Sequence, residues 1–392
     1  MQHPSPSRTR RTALVAPALV AGLALAGCAS SGSGTPKSQP PTGAAGSNAA
    51  TTGAATASGT VALLLPETKT TRYEAADKPF FQQALTSACP DCKLVYSNAN
   101  QDEAQQLQQA NAALAQGAKV LVLDPVNGAT AGAIVSAAQA KGVPVISYDR
   151  LITGGGAKPD YYISFDNKKV GELQGTELLK QVKASGKTSG DIVWINGSPT
   201  DNNATLFAAG AHSVIPKDGI DGFKVGYEIA TPEWAPATAQ TEMSAAISKL
   251  GKDKIVGVYS ANDGMATTIV AAMKNAGFAA LPPLTGQDAE KAAITRILTG
   301  QQSMTVYKAI KPEASGAAEL AVALLKGEKP TTVAGVATVS VAEYNNVPAT
   351  LLTPVAVTKD TVKDTVIKDG FYKASDVCTG AAAAACTSLG IS

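Results

Sequence analysis

From Thr60 onward, short apolar runs rich in β-branched residues alternate with longer stretches whose apolar positions recur at helical spacing. Val61–Leu65, Lys93–Ser97, Val120–Leu123, Val145–Tyr148 and Tyr162–Phe165 read as strands. Tyr73–Ala88, Glu103–Gln116 and Ala129–Lys141 read as the helices between them. A second series follows, with helices Val170–Lys183, Asn203–Val214, Ala237–Leu250, Met265–Ala276 and Ala289–Leu298. Its strands are Asp191–Ile195, Phe223–Tyr227, Ile255–Tyr259 and Ser303–Tyr307. Strand-then-helix repetition, with runs apolar on both faces, predicts parallel sheets covered on both sides. The chain therefore reads as an α/β protein of two Rossmann-like lobes, each a parallel sheet flanked by helices. Helix Pro312–Leu325 and the short segments out to Ile367 are left over, and they are expected to pass back between the lobes as hinge strands.

The ends of the chain follow other rules. Arg8, Arg10 and Arg11 precede the apolar run Thr12–Ala26 and a small-residue site, the layout of an export signal too short for a stable transmembrane helix. Leu25-Ala26-Gly27-Cys28 resembles the bacterial lipobox, which implies that residues 1–27 are removed and that Cys28 is lipidated and anchors the protein to a membrane. Residues 28–58 are almost wholly Ser, Gly, Thr, Ala, Pro and Asn and read as a disordered tether, with a typical reach of about 30 Å. Loss of the three arginines leaves 30 basic against 31 acidic residues, which argues against nucleic acid as partner.

Four further cysteines form two close pairs, Cys89-Pro-Asp-Cys92 and Cys378…Cys386. Export permits disulfides, so two local staples are expected. A redox Cys-x-x-Cys would open a helix after a strand; this one sits at the end of a helical stretch, which favours the staple. No Gly-x-Gly-x-x-Gly or phosphate-binding loop follows the first strand, where Leu65-Pro66-Glu67-Thr68 stands, so no nucleotide cofactor is expected. Gly154-Gly155-Gly156 lacks the strand–turn–helix context and reads as a flexible connection. His212 is the only histidine after the signal, which leaves little material for a Ser-His-Asp triad or a His-rich metal site.

The chemistry gathers where the strands end. Arg72 and Tyr73 follow the first strand, Asp124 and Asn127 the third, and Asp149-Arg150 closes the apolar run of the fourth. The second series adds Asp201-Asn202-Asn203, Trp234, Asn262-Asp263, Gln287-Asp288 and Lys308. In open α/β sheets ligands bind outside the carboxyl ends of the strands. Carboxylates accept from hydroxyls, guanidinium and ammonium groups donate, and amides do both, so this set suits a neutral polyhydroxylated ligand. An Asp or Asn after a strand also serves as a helix N-cap, and Asp124 before Pro125 looks like one. Capping does not account for Arg72, Arg150 and Lys308 beside them.

Longer motifs sharpen this reading. Tyr148-Asp149-Arg150, Tyr162-Ile163-Ser164-Phe165-Asp166-Asn167, Val170-Gly171-Glu172-Leu173-Gln174 and Ser198-Pro199-Thr200-Asp201-Asn202-Asn203-Ala204 resemble the periplasmic D-xylose-binding proteins. So do Ser260-Ala261-Asn262-Asp263, Gly286-Gln287-Asp288-Ala289, Met304-Thr305-Val306-Tyr307-Lys308 and Leu351-Leu352-Thr353-Pro354, in order from about Thr60 to about Ser375. The resemblance implies a type I periplasmic binding protein with three crossover segments. It divides the chain into an N-terminal lobe of 59–166 plus about 311–348, a C-terminal lobe of 167–310 plus about 349–375, and a tail of 376–392 carrying a Cys pair. It implies capture of a monosaccharide, a pentose such as xylose, by a monomer without catalytic residues, cofactor or metal, and delivery to an ABC permease. The sugar-contacting residues would be Arg72, Asp149 and Arg150 from one lobe and Asp201, Asn203, Trp234, Asn262, Asp288 and Lys308 from the other, with Tyr73 in a stacking role.

Three rivals remain at the level of sequence. A repressor's sugar-sensing domain shares the fold, but a lipobox and tether occupy the place of its DNA-binding helices. An exported glycosidase would need paired carboxylates, one with a raised pKa, among Asp149, Asp201 and Asp288. A sensor feeding a chemoreceptor or kinase would use the same binding site.

Overall fold

The computed structural model describes residues 57–329 and 346–392. The expected signal 1–27, Cys28, the tether up to residue 56 and lobe residues 330–345 lie outside the described residues. The first strands are β1 (Gly59–Leu65), β2 (Cys92–Asn98), β3 (Ala118–Leu123), β4 (Val145–Tyr148) and β5 (Tyr161–Phe165). Helices α1 (Lys78–Ala88), α2 (Glu103–Ala115) and α3 (Gly132–Gln139) connect them. Alternation along β1 separates two cores. Val61, Leu63 and Leu65 pack with Phe81 and Leu85 of α1, whereas Ala62 and Leu64 face Ala110 of α2 and Ile134 of α3. A strand clothed in apolar residues on both faces is what a doubly covered parallel sheet requires.

The second series comprises α4 (Asn167–Ala184), β6 (Gly190–Asn196), α5 (Asn202–Val214), β7 (Phe223–Ala230), α6 (Pro236–Leu250), β8 (Ile255–Ser260), α7 (Asp263–Asn275), α8 (Lys291–Leu298) and β9 (Met304–Tyr307). Then come α9 (Ile310–Leu325), β10 (Ala349–Leu352) and β11 (Val355–Thr358). One parallel sheet has the order β10-β5-β4-β3-β1-β2 and the other β7-β6-β8, while β11 pairs antiparallel with β9. The helix expected from Ala289 begins at Lys291, because Ala289 has φ 49°.

The chain crosses between the lobes three times. It leaves the first sheet after β5, where Asp166 caps α4. It returns after Lys308, so that Ala314, Ala317 and Leu320 of α9 join the first-lobe core. It crosses again between β10 and β11, at Thr353-Pro354. This corrects the expected boundary at about 349, since Ala349–Leu352 pairs with Tyr162–Phe165 in the first sheet. The segment expected as a tail packs on the second lobe: Val377, Cys386 and Ile391 are buried with Ile294 and Ile297 of α8 and Val357 of β11. Both expected disulfides are present, Cys89–Cys92 at the end of α1 and Cys378–Cys386 between the last two short helices.

Helices α4 and α5 pack closely and so fix the start of α5, where Asp201 and Asn203 stand. A Cβ at Gly171 would lie 1.9 Å from Phe207 O, and one at Gly210 would lie 1.9 Å from Lys168 O. Alanine ordinarily stabilises a helix by about 0.5–1 kcal/mol over glycine. Here the backbone clash wins, and Gly210→Ala should lower stability by about 1–3 kcal/mol in urea unfolding; a gain would show that the two helices have room to spare.

Candidate functional site

All ten residues expected to contact a ligand line one cavity between the carboxyl ends of the two sheets, together with Thr70, Phe207 and Gln287. Arg72 and Tyr73 open the helical turn after β1, and Asp149-Arg150 follow β4. From the other lobe, Asp201 and Asn203 start α5, Trp234 follows β7, Asn262 precedes α7, and Lys308 follows β9. Every one of the ten is at most 4 % exposed. Asp149, Trp234 and Asp288 have φ of 51°, 54° and 91°. Left-handed backbone at non-glycine residues is strained and persists where the surroundings over-determine it. At Asp149 they do so: its N–H donates to Ile163 O at 2.9 Å, and its carbonyl accepts from Tyr162 Oη at 2.9 Å and Asn203 Nδ2 at 3.2 Å.

The charges interlock across the cleft. Arg72 Nη1 lies 2.5 Å from Asp149 Oδ2 and 3.9 Å from Asp288 Oδ1 of the opposite lobe. Lys308 Nζ lies 3.0 Å from Asp288 and 3.9 Å from Asp149, and Arg150 Nε lies 3.1 Å from Asp201 Oδ2. Asn203 Nδ2 donates to Asp149 Oδ1 at 2.7 Å, also across the lobes. At the cleft mouth an exposed pair, Lys69 and Glu233, closes to 2.6 Å.

Capping and site chemistry turn out to coexist. Asp201 Oδ1 accepts from Asn203 N, capping α5, while Oδ2 accepts from Trp234 Nε1 at 3.1 Å. Asn262 Oδ1 caps α7 through Met265 N. Asp124, by contrast, caps nothing. It is fully buried, neither carboxylate oxygen has a hydrogen-bond donor, and Oδ1 lies 3.5 Å from Arg150 Nε. Tyr73, expected to stack, lines the cavity with the Arg72 and Arg150 guanidinium carbons 5.5 and 5.7 Å from its ring centre, and its hydroxyl accepts from Arg150 Nη2 at 3.1 Å.

A further layer of carboxylates holds the arginines. Arg72 donates to Asp77 through Nε at 2.9 Å and Nη2 at 2.6 Å, and to Glu313 of α9 at 2.7 Å. Tyr148 Oη donates to Asp77 in turn. The sequence pattern did not reveal Asp77 or Glu313 as parts of the site; Glu313 is 241 residues from Arg72. Gln287 stood among the strand-end polar groups without being carried into the ligand set. Gln287 Oε1 has no hydrogen-bond partner, whereas Arg72 Nη1, Arg150 Nε and Asp288 Oδ1 meet opposite charges at 2.5–3.1 Å without hydrogen-bond geometry. Among the described residues, no group of three or more His, Cys, Asp or Glu side chains could hold a metal ion.

Burial raises the pKa of Asp124, Asp201 and Glu313, but it does not prevail at Asp149. At Asp149 burial is outweighed by Arg72, Lys308 and Arg150, and the carboxyl falls below its ordinary value. At Asp201 burial prevails over Arg150 and the pKa rises. Asp124 is pushed well above its ordinary 3.8 by burial, which Arg150 opposes and Asp149 and Asp201 reinforce. A raised folded-state pKa means that the folded protein holds a proton that the unfolded chain releases, so Asp124 makes stability fall as pH climbs from about 4 towards the raised value. Asp124→Asn removes that dependence. The melting temperature of the variant relative to the parent should rise by at least ~2 °C between pH 5 and pH 8, and a difference independent of pH would contradict the assignment.

Comparison with known proteins agrees with this geometry. The family model described as "Periplasmic binding protein domain" matches residues 61–329. The chain is 39% identical over 322 residues to the D-xylose-binding periplasmic protein of Escherichia coli (strain K12), covering 81% of this chain and 92% of that protein. Identity to the D-xylose-binding periplasmic protein of Haemophilus influenzae is 37% over 317 residues, covering 80% and 90%. A crystal structure of an ABC transporter solute binding protein from Clostridium phytofermentans with bound β-D-glucose matches with a TM-score of 0.73 at 28% identity, covering 81% of this chain and 99% of that one. With two lobes, three crossovers and this likeness along most of its length, the chain belongs to the periplasmic binding protein family and has its type I fold.

Proposed function

We propose that the protein captures a neutral monosaccharide, D-xylose first among candidates, by closing its two lobes around it, and delivers it to an ABC importer without chemical turnover. The observation that carries this reading is the buried set of donors and acceptors from both lobes that converges on one cavity. Its three cations already have carboxylate partners at 2.5–3.1 Å, so no charge is left over for a sugar acid or an amino sugar. Hydroxyls, which donate and accept together, match such paired charges. Trp234, set edge-on to Phe207, supplies an apolar face for the C–H side of a ring. Xylose is favoured by the two D-xylose-binding relatives, and glucose is its main competitor because of the glucose-bound solute-binding neighbour. Ligand contacts to both lobes favour the closed form by their differential affinity, with the three crossovers as hinge. Leu25-Ala26-Gly27-Cys28 supports export and a lipid anchor on Cys28, which would hold the protein at the outer face of the cell membrane.

Calorimetry with xylose, glucose, ribose, arabinose and galactose should find at least one sugar with Kd below ~100 μM, about −5.5 kcal/mol; binding of none would end the capture reading. Glucuronate and xylonate should bind roughly 100-fold more weakly than the preferred neutral sugar, because a buried unpaired charge is costly. Asp149→Asn, which keeps the side-chain shape but removes the charge shared by Arg72 and Lys308, should weaken the preferred sugar about 10- to 100-fold. Unchanged affinity would place the sugar away from this carboxylate.

A further inference from the structure

Gln287 stands out among the cavity's amides. Asn203 is committed, with Nδ2 donating to Asp149 and Oδ1 accepting from Asn167 Nδ2 at 2.9 Å. The oxygen of Asn262 caps α7. Gln287 is 3 % exposed, lines the cavity, and its Oε1 has no partner.

The turn that bears it is fastened on all sides. Gly286 O accepts from Val306 N and Gln174 Nε2, both at 3.1 Å, and Gln287 O accepts from Asp263 N at 3.1 Å. Asp288 N donates to Val306 O at 2.9 Å, and Ala289 N to Thr305 Oγ1 at 3.2 Å. A Cβ at Gly286 would sit 1.9 Å from Asp263 Oδ1, so the turn is pressed against the start of α7. In extended backbone, neighbouring side chains point to opposite faces. The φ of 91° at Asp288 breaks that alternation, and Gln287 and Asp288 both line the cavity.

We propose that Gln287 is a specificity-determining residue of this site, its amide reading one hydroxyl of the bound sugar beside the hydroxyl held by Asp288 and Lys308. The inference rests on the capture reading above. An amide both accepts and donates, whereas the neighbouring carboxylate only accepts and the ammonium only donates. A hydroxyl that must do both at once therefore matches Gln287 better than either. A buried polar atom left unpaired penalises any ligand that lacks its partner, so the contact discriminates between sugars differing at that position.

The test is a cycle between side chain and ligand. Wild type and Gln287→Met are titrated by calorimetry with D-xylose, D-glucose and their monodeoxy analogues. Gln287→Met should bind the preferred sugar about 10- to 100-fold more weakly, and one deoxy analogue should bind both proteins within about 2-fold, because its missing hydroxyl is the one Gln287 reads. If the variant weakens every analogue by the same factor, or weakens none, the proposal is overturned. If wild type binds no monosaccharide, the capture reading fails first and takes this one with it. Should Gln287→Met not fold, a crystal structure of the wild type with the preferred sugar decides. Either a Gln287 amide atom lies within hydrogen-bond distance of a sugar hydroxyl, or the proposal is wrong.

Discussion

Buried charges of opposite sign, divided between two lobes, govern this structure. Arg72, Asp149 and Arg150 belong to the first lobe, and Asp201, Asp288 and Lys308 to the second or its crossover, all nearly inaccessible. A charge removed from water is tolerated only when paired and hydrogen-bonded. Some of that pairing lies within a lobe, as between Arg72 and Asp149, and some lies across, as between Arg150 and Asp201. The cleft is therefore a surface that each lobe completes for the other, and the left-handed backbone at Asp149, Trp234 and Asp288 keeps the side chains aimed at it.

The outer layer explains how so many charges keep their aim. Asp77 and Glu313 grip one side of the Arg72 fork, which leaves Nη1 to meet Asp149 at the cavity. Arg150 is held by Tyr73 and Asp201, with Asp124 and Glu67 within ion-pair range. Acids outnumber bases in this cluster, and burial keeps Asp124 and Glu313 protonated to higher pH than usual. The site thus avoids an excess of buried negative charge while retaining acceptors.

Much of this was legible in the sequence because two signals are local. Alternation of apolar runs with helical stretches gives the parallel sheets, and a charged pair ending an apolar strand, as at Asp149-Arg150, marks a strand's carboxyl end. What was not legible depends on long-range packing. The apolar pattern of Ala349–Leu352 predicts a strand but not which sheet it joins. Asp124 before Pro125 has the local signature of a cap, and only the placement of Arg150 shows it to be a buried counter-charge. Glu313 reaches Arg72 from a helix that returns to the first lobe after the chain has run through the second lobe from α4 to β9, and nothing near it in sequence announces that. Ser198-Pro199-Thr200-Asp201 illustrates a different limit: local chemistry offered cap or ligand contact as alternatives, whereas one carboxylate both caps α5 and faces the cavity.

The most direct measurement of the central claim is a crystal structure of the protein with D-xylose. One sugar should lie in the cavity between the sheets, with polar contacts to Arg72 or Asp149 on one lobe and to Asp288 or Lys308 on the other. A sugar held by one lobe alone, or bound elsewhere on the molecule, would contradict it.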